Sequence, residues 1–221
     1  MAHKKVISQN LKHDLPRIYP ITDTRISGLS HLEQVKRLVA GGAKFIQLRE
    51  KNASPRDFCE QALEVVEFAR EQGVRIIIND RVDIALALKA GGVHVGQDDL
   101  PPELVRQILW PEAIIGFSTH TIGQFIAAVE LPIDYIAYGP IFQTTTKENP
   151  EPIIGTEAIK QIRPLVGNLP IVAIGGISGI HLRSVIEAGA DSTAMIGAIL
   201  SEPDNIAVQY IQFNTLANRS G

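Results

Sequence analysis

Cysteine is nearly absent from this chain: Cys59 is the only one among 221 residues. An internal disulfide is therefore excluded, and the count fits a reducing compartment. Cys59 falls on an amphipathic helical pattern and reads as a small packed residue, not a nucleophile. No apolar run is long enough to cross a membrane. The polar residues 1–15 lack the apolar centre of a signal peptide. There is no basic tail or stripe, and the net charge of −3 argues against a nucleic-acid partner. Phosphorylated small molecules remain compatible, because the local field at a cleft outweighs the total charge. A dinucleotide-binding glycine fingerprint is missing, as is any Cys–His or Ser–His pattern of a protein nucleophile. The expectation from these absences is a cytoplasmic protein. A homo-oligomer is compatible with the sequence, which sets no oligomeric state.

What is present is an ordinary globular composition, 45% apolar and 20% charged. It is ordered as short apolar runs alternating with amphipathic stretches. The runs at 17–22, 43–48, 75–78, 93–95, 113–117, 135–138, 171–174 and 192–196 read as strands. Between them lie helical patterns. Ser30 and Glu33 form a capping box for a helix reaching Ala40. Ser54, Pro55 and Asp57 open a long helix that Gly73 ends. Further helices are expected at 82–90, 101–109, 122–129, 157–165, 179–188 and 203–216. Strands apolar on both faces belong to a buried parallel sheet. Eight strand–helix units in this length fit a small (β/α)₈ TIM barrel of α/β class, a single domain over 17–217 with a lead-in at 1–16. An open doubly wound sheet is the alternative.

In such a barrel, chemistry gathers where strands end. The second strand ends in Gln47, Leu48, Arg49, Glu50 and Lys51. Alternation would put Phe45, Gln47, Arg49 and Lys51 on one face if the strand ran that far. Two cations there need an anion, or must pair with Glu50 or another acid. The third strand ends in Asn79-Asp80, the fourth is followed by Gln97 and Asp99, and the fifth ends at Ser118 and His120. Asp80 and Asp99 on neighbouring strands suit one hard cation such as Mg²⁺, although each also sits where a helix N-cap is found. The long loop after the sixth strand carries Thr144, Thr145, Thr146 and Lys147, and loops of this length tend to be functional. Gly175-Gly176 and Ile196-Gly197, after strands seven and eight, have the place and backbone exposure of a phosphate site. They are also compatible with tight turns alone. His94 reads as a packed strand residue, and His120 has a minor role.

Six stretches carry a resemblance to the thiamine-phosphate synthase (thiamine-phosphate pyrophosphorylase) family. They are QLREK at 47–51, NDRVDIA at 79–85, GVHVGQDDL at 92–100, GFSTH at 116–120, DYIAYGPIFQTTTK at 134–147 and AIGGI at 173–177. The resemblance implies joining of an aminopyrimidine methyl diphosphate to a thiazole phosphate, with release of diphosphate. It implies that Gln47, Leu48, Arg49, Glu50, Lys51, Asn79, Ser118 and Lys147 hold the pyrimidine diphosphate, and that Asp80 and Asp99 hold Mg²⁺. Thr144, Thr145, Thr146, Gly176, Ile196 and Gly197 would hold the thiazole phosphate. Arg49, Lys51 and Lys147 would carry the catalytic burden by stabilising the departing charge. Three positions depart from the family pattern. Gln143 replaces a usual proline, Gly197 a usual serine, and Thr156 a usual apolar residue. The competing expectations are the related thiazole tautomerase, a non-catalytic barrel that binds thiamine precursors, and a phosphate-binding barrel of tryptophan biosynthesis.

Overall fold

A computed structural model of the chain describes residues 15–144, 146 and 151–219. The expected lead-in falls outside the described residues up to residue 14, as do Thr145 and Lys147. Eight parallel strands close on themselves in chain order. They are β1 (Ile18–Thr22), β2 (Phe45–Leu48), β3 (Arg75–Asn79), β4 (Gly92–Val95), β5 (Ile114–Thr119), β6 (Tyr135–Tyr138), β7 (Ile171–Ile174) and β8 (Ser192–Met195). Around them run α1 (Thr24–Ser27), α2 (His31–Ala40), α3 (Pro55–Glu71), α4 (Val82–Leu88) and α5 (Pro102–Ile108). The ring continues with α6 (Ile122–Ala128), α7 (Gly155–Ile162), α8 (Leu182–Glu187), α9 (Gly197–Leu200) and α10 (Ile206–Asn218). No helix among the described residues is long and apolar enough to cross a membrane.

The expected caps form. Ser30 and Ser54 side chains accept the N–H groups of Glu33 and Asp57, satisfying donors that a helix start leaves open. Strand alternation then divides the core in two. Ile46, Leu48, Ile76, Ile78, Val93 and Val95 face outward into the layer shared with the helices. Tyr19, Ile21, Phe45, Ile77, Tyr135 and Val172 fill the barrel interior. The inward rows end, at the C-terminal rim, in Gln47, Asn79, His94 and Ser118, so the same period that packs the core delivers the polar groups of the site.

The opposite end is held by a clasp used twice. Asp134, just before β6, accepts the Ile115 N–H at 2.8 Å and an Arg106 N–H at 2.6 Å. Asp191, just before β8, accepts the Ile171 N–H at 2.9 Å and an Arg163 N–H at 2.6 Å. Each arginine also donates to loop carbonyls, Arg106 to Ala113 and Arg163 to Gly167. A carboxylate, buried at Asp134 and partly buried at Asp191, thus ties a strand to the helix preceding its neighbour, at the end of the barrel that serves stability. Asp134→Ala is expected to cost about 3 kcal/mol, because it strips a nearly buried ion pair and strands a backbone N–H. Urea denaturation should show this while turnover of the folded fraction stays unchanged.

Candidate active site

The polar ends of the strands surround one cavity of about 1170 Å³ at the C-terminal face. β2 stops at Leu48, so Arg49 and Lys51 do not continue the inward row as the strand pattern allowed. Gln47 does: it is buried, and its amide donates to the Tyr19 hydroxyl at 3.0 Å. Arg49 turns to Asp23, the acid after β1, in a close ion pair. Lys51 reaches Asp80 in another. All three residues line the cavity.

Leu48 and Glu50, expected with them, do not line it. Leu48 is fully buried in the outer core. Glu50 folds back and accepts the N–H groups of Lys51, Asn52 and Ala53 at 2.8, 2.6 and 3.2 Å. Its other oxygen meets His31 Nε2 at 3.3 Å, and His31 Nδ1 meets Thr22 Oγ1 at 2.8 Å. Burial would push the Glu50 carboxyl up, but these backbone donors and His31 hold it below its usual range. Glu50 therefore shapes the turn that carries Arg49 and Lys51.

Asp80 and Asp99 meet at the rim. Neither is a helix cap: the residues at those positions are Arg81 and Pro101, and neither helix has a side-chain cap bond. Asp80 has φ +62°, a left-handed conformation costly for a residue with a side chain and concentrated at functional sites. Its N–H donates to His94 O at 2.8 Å. Asp99 accepts the Gly96 N–H at 2.7 Å. Burial, and then the neighbouring Asp80 carboxylate, pushes the Asp99 carboxyl above its usual range in spite of that bond. Two adjacent carboxylates freed from capping are an oxygen donor set that suits Mg²⁺.

The remaining expected residues fall around the same space. Asn79 and Ser118 line it, and Gln97 donates to Ser118 O at 2.6 Å. His120 donates from Nδ1 to Gly139 O at 2.7 Å and borders the cavity. Thr144 and Thr146 line it, with the Thr146 N–H on Thr144 Oγ1 at 3.3 Å. Gly175 and Gly176 stand at φ +101° and +63°. A Cβ on Gly176 would come 2.2 Å from Gln143 O, so glycine lets the β7 turn lie against the threonine loop. Ile196 and Gly197 open α9, and among the described residues the N–H groups of Gly197 and Ala198 find no backbone acceptor. Sequence reasoning gave no role to Asp23, Arg25, Tyr19 and Tyr135. Asp23 alone had a usable signal, as an acid ending a strand like Asp80.

A (β/α)₈ barrel with cations, paired carboxylates and a glycine-lined turn at its C-terminal rim is built to bind phosphorylated small molecules. A family model described as thiamine monophosphate synthase matches residues 18–199. The thiamine-phosphate synthase of Chloroflexus aurantiacus is 43% identical over 85% of this chain and 87% of its own. That of Koribacter versatilis is 42% identical over 90% and 95%. A solved thiamine phosphate pyrophosphorylase from Pyrococcus furiosus superposes with a TM-score of 0.85 at 32% identity, covering 96% of this chain and 99% of its own. An aldolase at 14% identity, TM-score 0.69, shares the fold alone. The chain belongs to the thiamine monophosphate synthase family.

The raised pKa of Asp99 sets a stability prediction for metal-free protein. A carboxyl whose folded pKa lies above its unfolded value contributes stability below about pH 4, which is lost as pH rises through the folded pKa. Asp99→Asn keeps an acceptor for the Gly96 N–H and removes the repulsion. Its Tm should exceed that of the unaltered protein at pH 7, and the gain should vanish on acidification. A lower Tm at pH 7 would contradict the repulsion.

Proposed function

We propose that this chain is a thiamine-phosphate synthase, a transferase. It would join 4-amino-2-methyl-5-(diphosphooxymethyl)pyrimidine to 4-methyl-5-(2-phosphoethyl)thiazole. The observation that carries this reading is the Asp80–Asp99 pair beside Lys51 on the rim, in a chain whose relatives are thiamine-phosphate synthases. Residues 17–217 form the catalytic domain in this reading, and the setting is the cytoplasm.

The pyrimidine diphosphate would lie against Gln47, Arg49, Lys51, Asn79 and Ser118, with Lys147 approaching from the threonine loop. Asp80 and Asp99 would hold Mg²⁺, which when bound supplies positive charge to the diphosphate. Lys51 and Arg49 stabilise the charge that develops as the methylene C–O bond breaks and diphosphate departs with the electron pair. The electron-rich pyrimidine carries the cation left behind. The thiazole nitrogen lone pair then forms the C–N bond, and no protein nucleophile or base is needed. Thr144, Thr145, Thr146, Gly176, Ile196 and Gly197 would hold the thiazole phosphate, positioning the nitrogen for that attack. The tautomerase reading is less well supported, because it leaves the carboxylate pair without a role.

Purified protein given both precursors should form thiamine phosphate and release diphosphate only with Mg²⁺. Asp80→Ala should lower turnover on the order of 100-fold with the fold intact. Product formation without Mg²⁺, or full activity of that variant, would sink the metal assignment; silence from folded protein would sink the synthase reading.

Gly197 gives a second test. A Cβ there would meet nothing within 4 Å, so Gly197→Ser can add a hydroxyl without displacing a neighbour. It should lower KM for the thiazole phosphate about fivefold, the value of one added hydrogen bond. An unchanged or higher KM would remove Gly197 from the phosphate site.

A further inference from the structure

A line of hydrogen bonds crosses the cavity floor from β2 to β5. The Gln47 amide N–H donates to Tyr19 OH at 3.0 Å, and Tyr19 OH lies 3.1 Å from Tyr135 OH. Tyr135 OH lies 2.9 Å from His94 Nδ1, and His94 Nε2 lies 2.8 Å from Ser118 Oγ. Tyr19, Tyr135 and His94 are buried, and His94 stacks on the Tyr135 ring at 5.5 Å. The crossing needs a gap in the wall. Gly116 supplies it, since a Cβ there would come 2.1 Å from Tyr135 Cζ and 2.5 Å from His94 Nδ1.

We propose that Tyr19, Tyr135 and His94 are positioning residues: they form a one-way relay from Gln47 that fixes the Ser118 hydroxyl as a donor into the cavity. An amide NH₂ can only donate. With Gln47 donating to Tyr19, the Tyr19 hydrogen is free for Tyr135. The Tyr135 hydrogen then goes to His94 Nδ1, which places the ring hydrogen on Nε2, pointing at Ser118 Oγ. Every donor finds an acceptor, and the Ser118 hydrogen is left for a ligand. In the reverse order the Tyr19 hydrogen would face the Gln47 NH₂ and stay unpaired in a buried site, at the full cost of desolvation. With the Gln47 NH₂ on Tyr19, only the forward order satisfies the chain; the opposite order requires the amide turned to set its oxygen on Tyr19 and puts the His94 hydrogen on Nδ1. An anion against Ser118 gains a donor oriented before it arrives, which is preorganisation in the sense that favours charge developing on a leaving group.

This relay rests on the proposed reading, in which the anion is the pyrimidine diphosphate. Its direction is testable without turnover. Nitrogen NMR of the His94 ring should show the Nε2–H form; the Nδ1–H form would overturn the relay whatever the enzyme does. Coupling is tested by a double-mutant cycle. Tyr135→Phe should reduce kcat/KM for the pyrimidine diphosphate about tenfold and have little further effect in the Ser118→Ala background. Tyr19→Phe should behave the same way and serves if the first variant folds poorly. Equal losses in both backgrounds would show a merely structural role and overturn the proposal. An inactive unaltered protein with the Nε2–H ring would refute the synthase reading and leave the relay standing.

Discussion

Two carboxylates set side by side at a barrel rim repel, and the site depends on that repulsion being unfinished. Lys51 pairs with Asp80 and its charge also reaches Asp99, which otherwise has one backbone N–H and a neighbour of its own sign. One ammonium cannot neutralise two ionised acids. The arrangement is therefore complementary to a divalent cation, and through it to an anion rich in oxygens. Other features keep the pair in place. The left-handed backbone at Asp80 is held by the bond from its N–H to His94, and the Glu50 knot fixes the turn that presents Lys51.

The barrel supplies the rest by alternation alone. A row that begins with Phe45 in the interior ends with Gln47 at the rim, and the row of Ile77 ends with Asn79. One period serves packing below and recognition above. Glycine is used where two turns must touch, as at Gly176 against Gln143, or where a ring must cross, as at Gly116 under Tyr135. At the other end the Asp134 and Asp191 clasps tie strand to helix, away from the charges gathered at the rim.

The strands were legible because their apolar runs are bounded by glycine or acid: β6 and β7 lie where the pattern put them, and others shift by a residue or two. The long α3 was legible from its cap and apolar face. The four-residue helices α1 and α9 were not, since a single turn has no periodicity to read. The last helix starts at Ile206 and not at Pro203, because residues 203–205 form a separate 3₁₀ turn. At the site, charge and strand position located Arg49, Lys51, Asp80 and Asp99. The pairing of Arg49 with Asp23 was hidden, because it joins two strands whose register the sequence does not state. Leu48 and Glu50 were grouped with their neighbours by adjacency, yet alternation sends one outward and the turn folds the other back. Tyr19 and Tyr135 read as core aromatics, and only the closed barrel shows their hydroxyls in line.

The most direct measurement of the two-carboxylate site is calorimetric titration of diphosphate into the protein with and without Mg²⁺. Mg²⁺ should tighten diphosphate binding by at least tenfold, and diphosphate should tighten Mg²⁺ binding by the same factor, as linkage requires. Diphosphate binding of equal strength in both conditions would contradict a cation shared by Asp80 and Asp99.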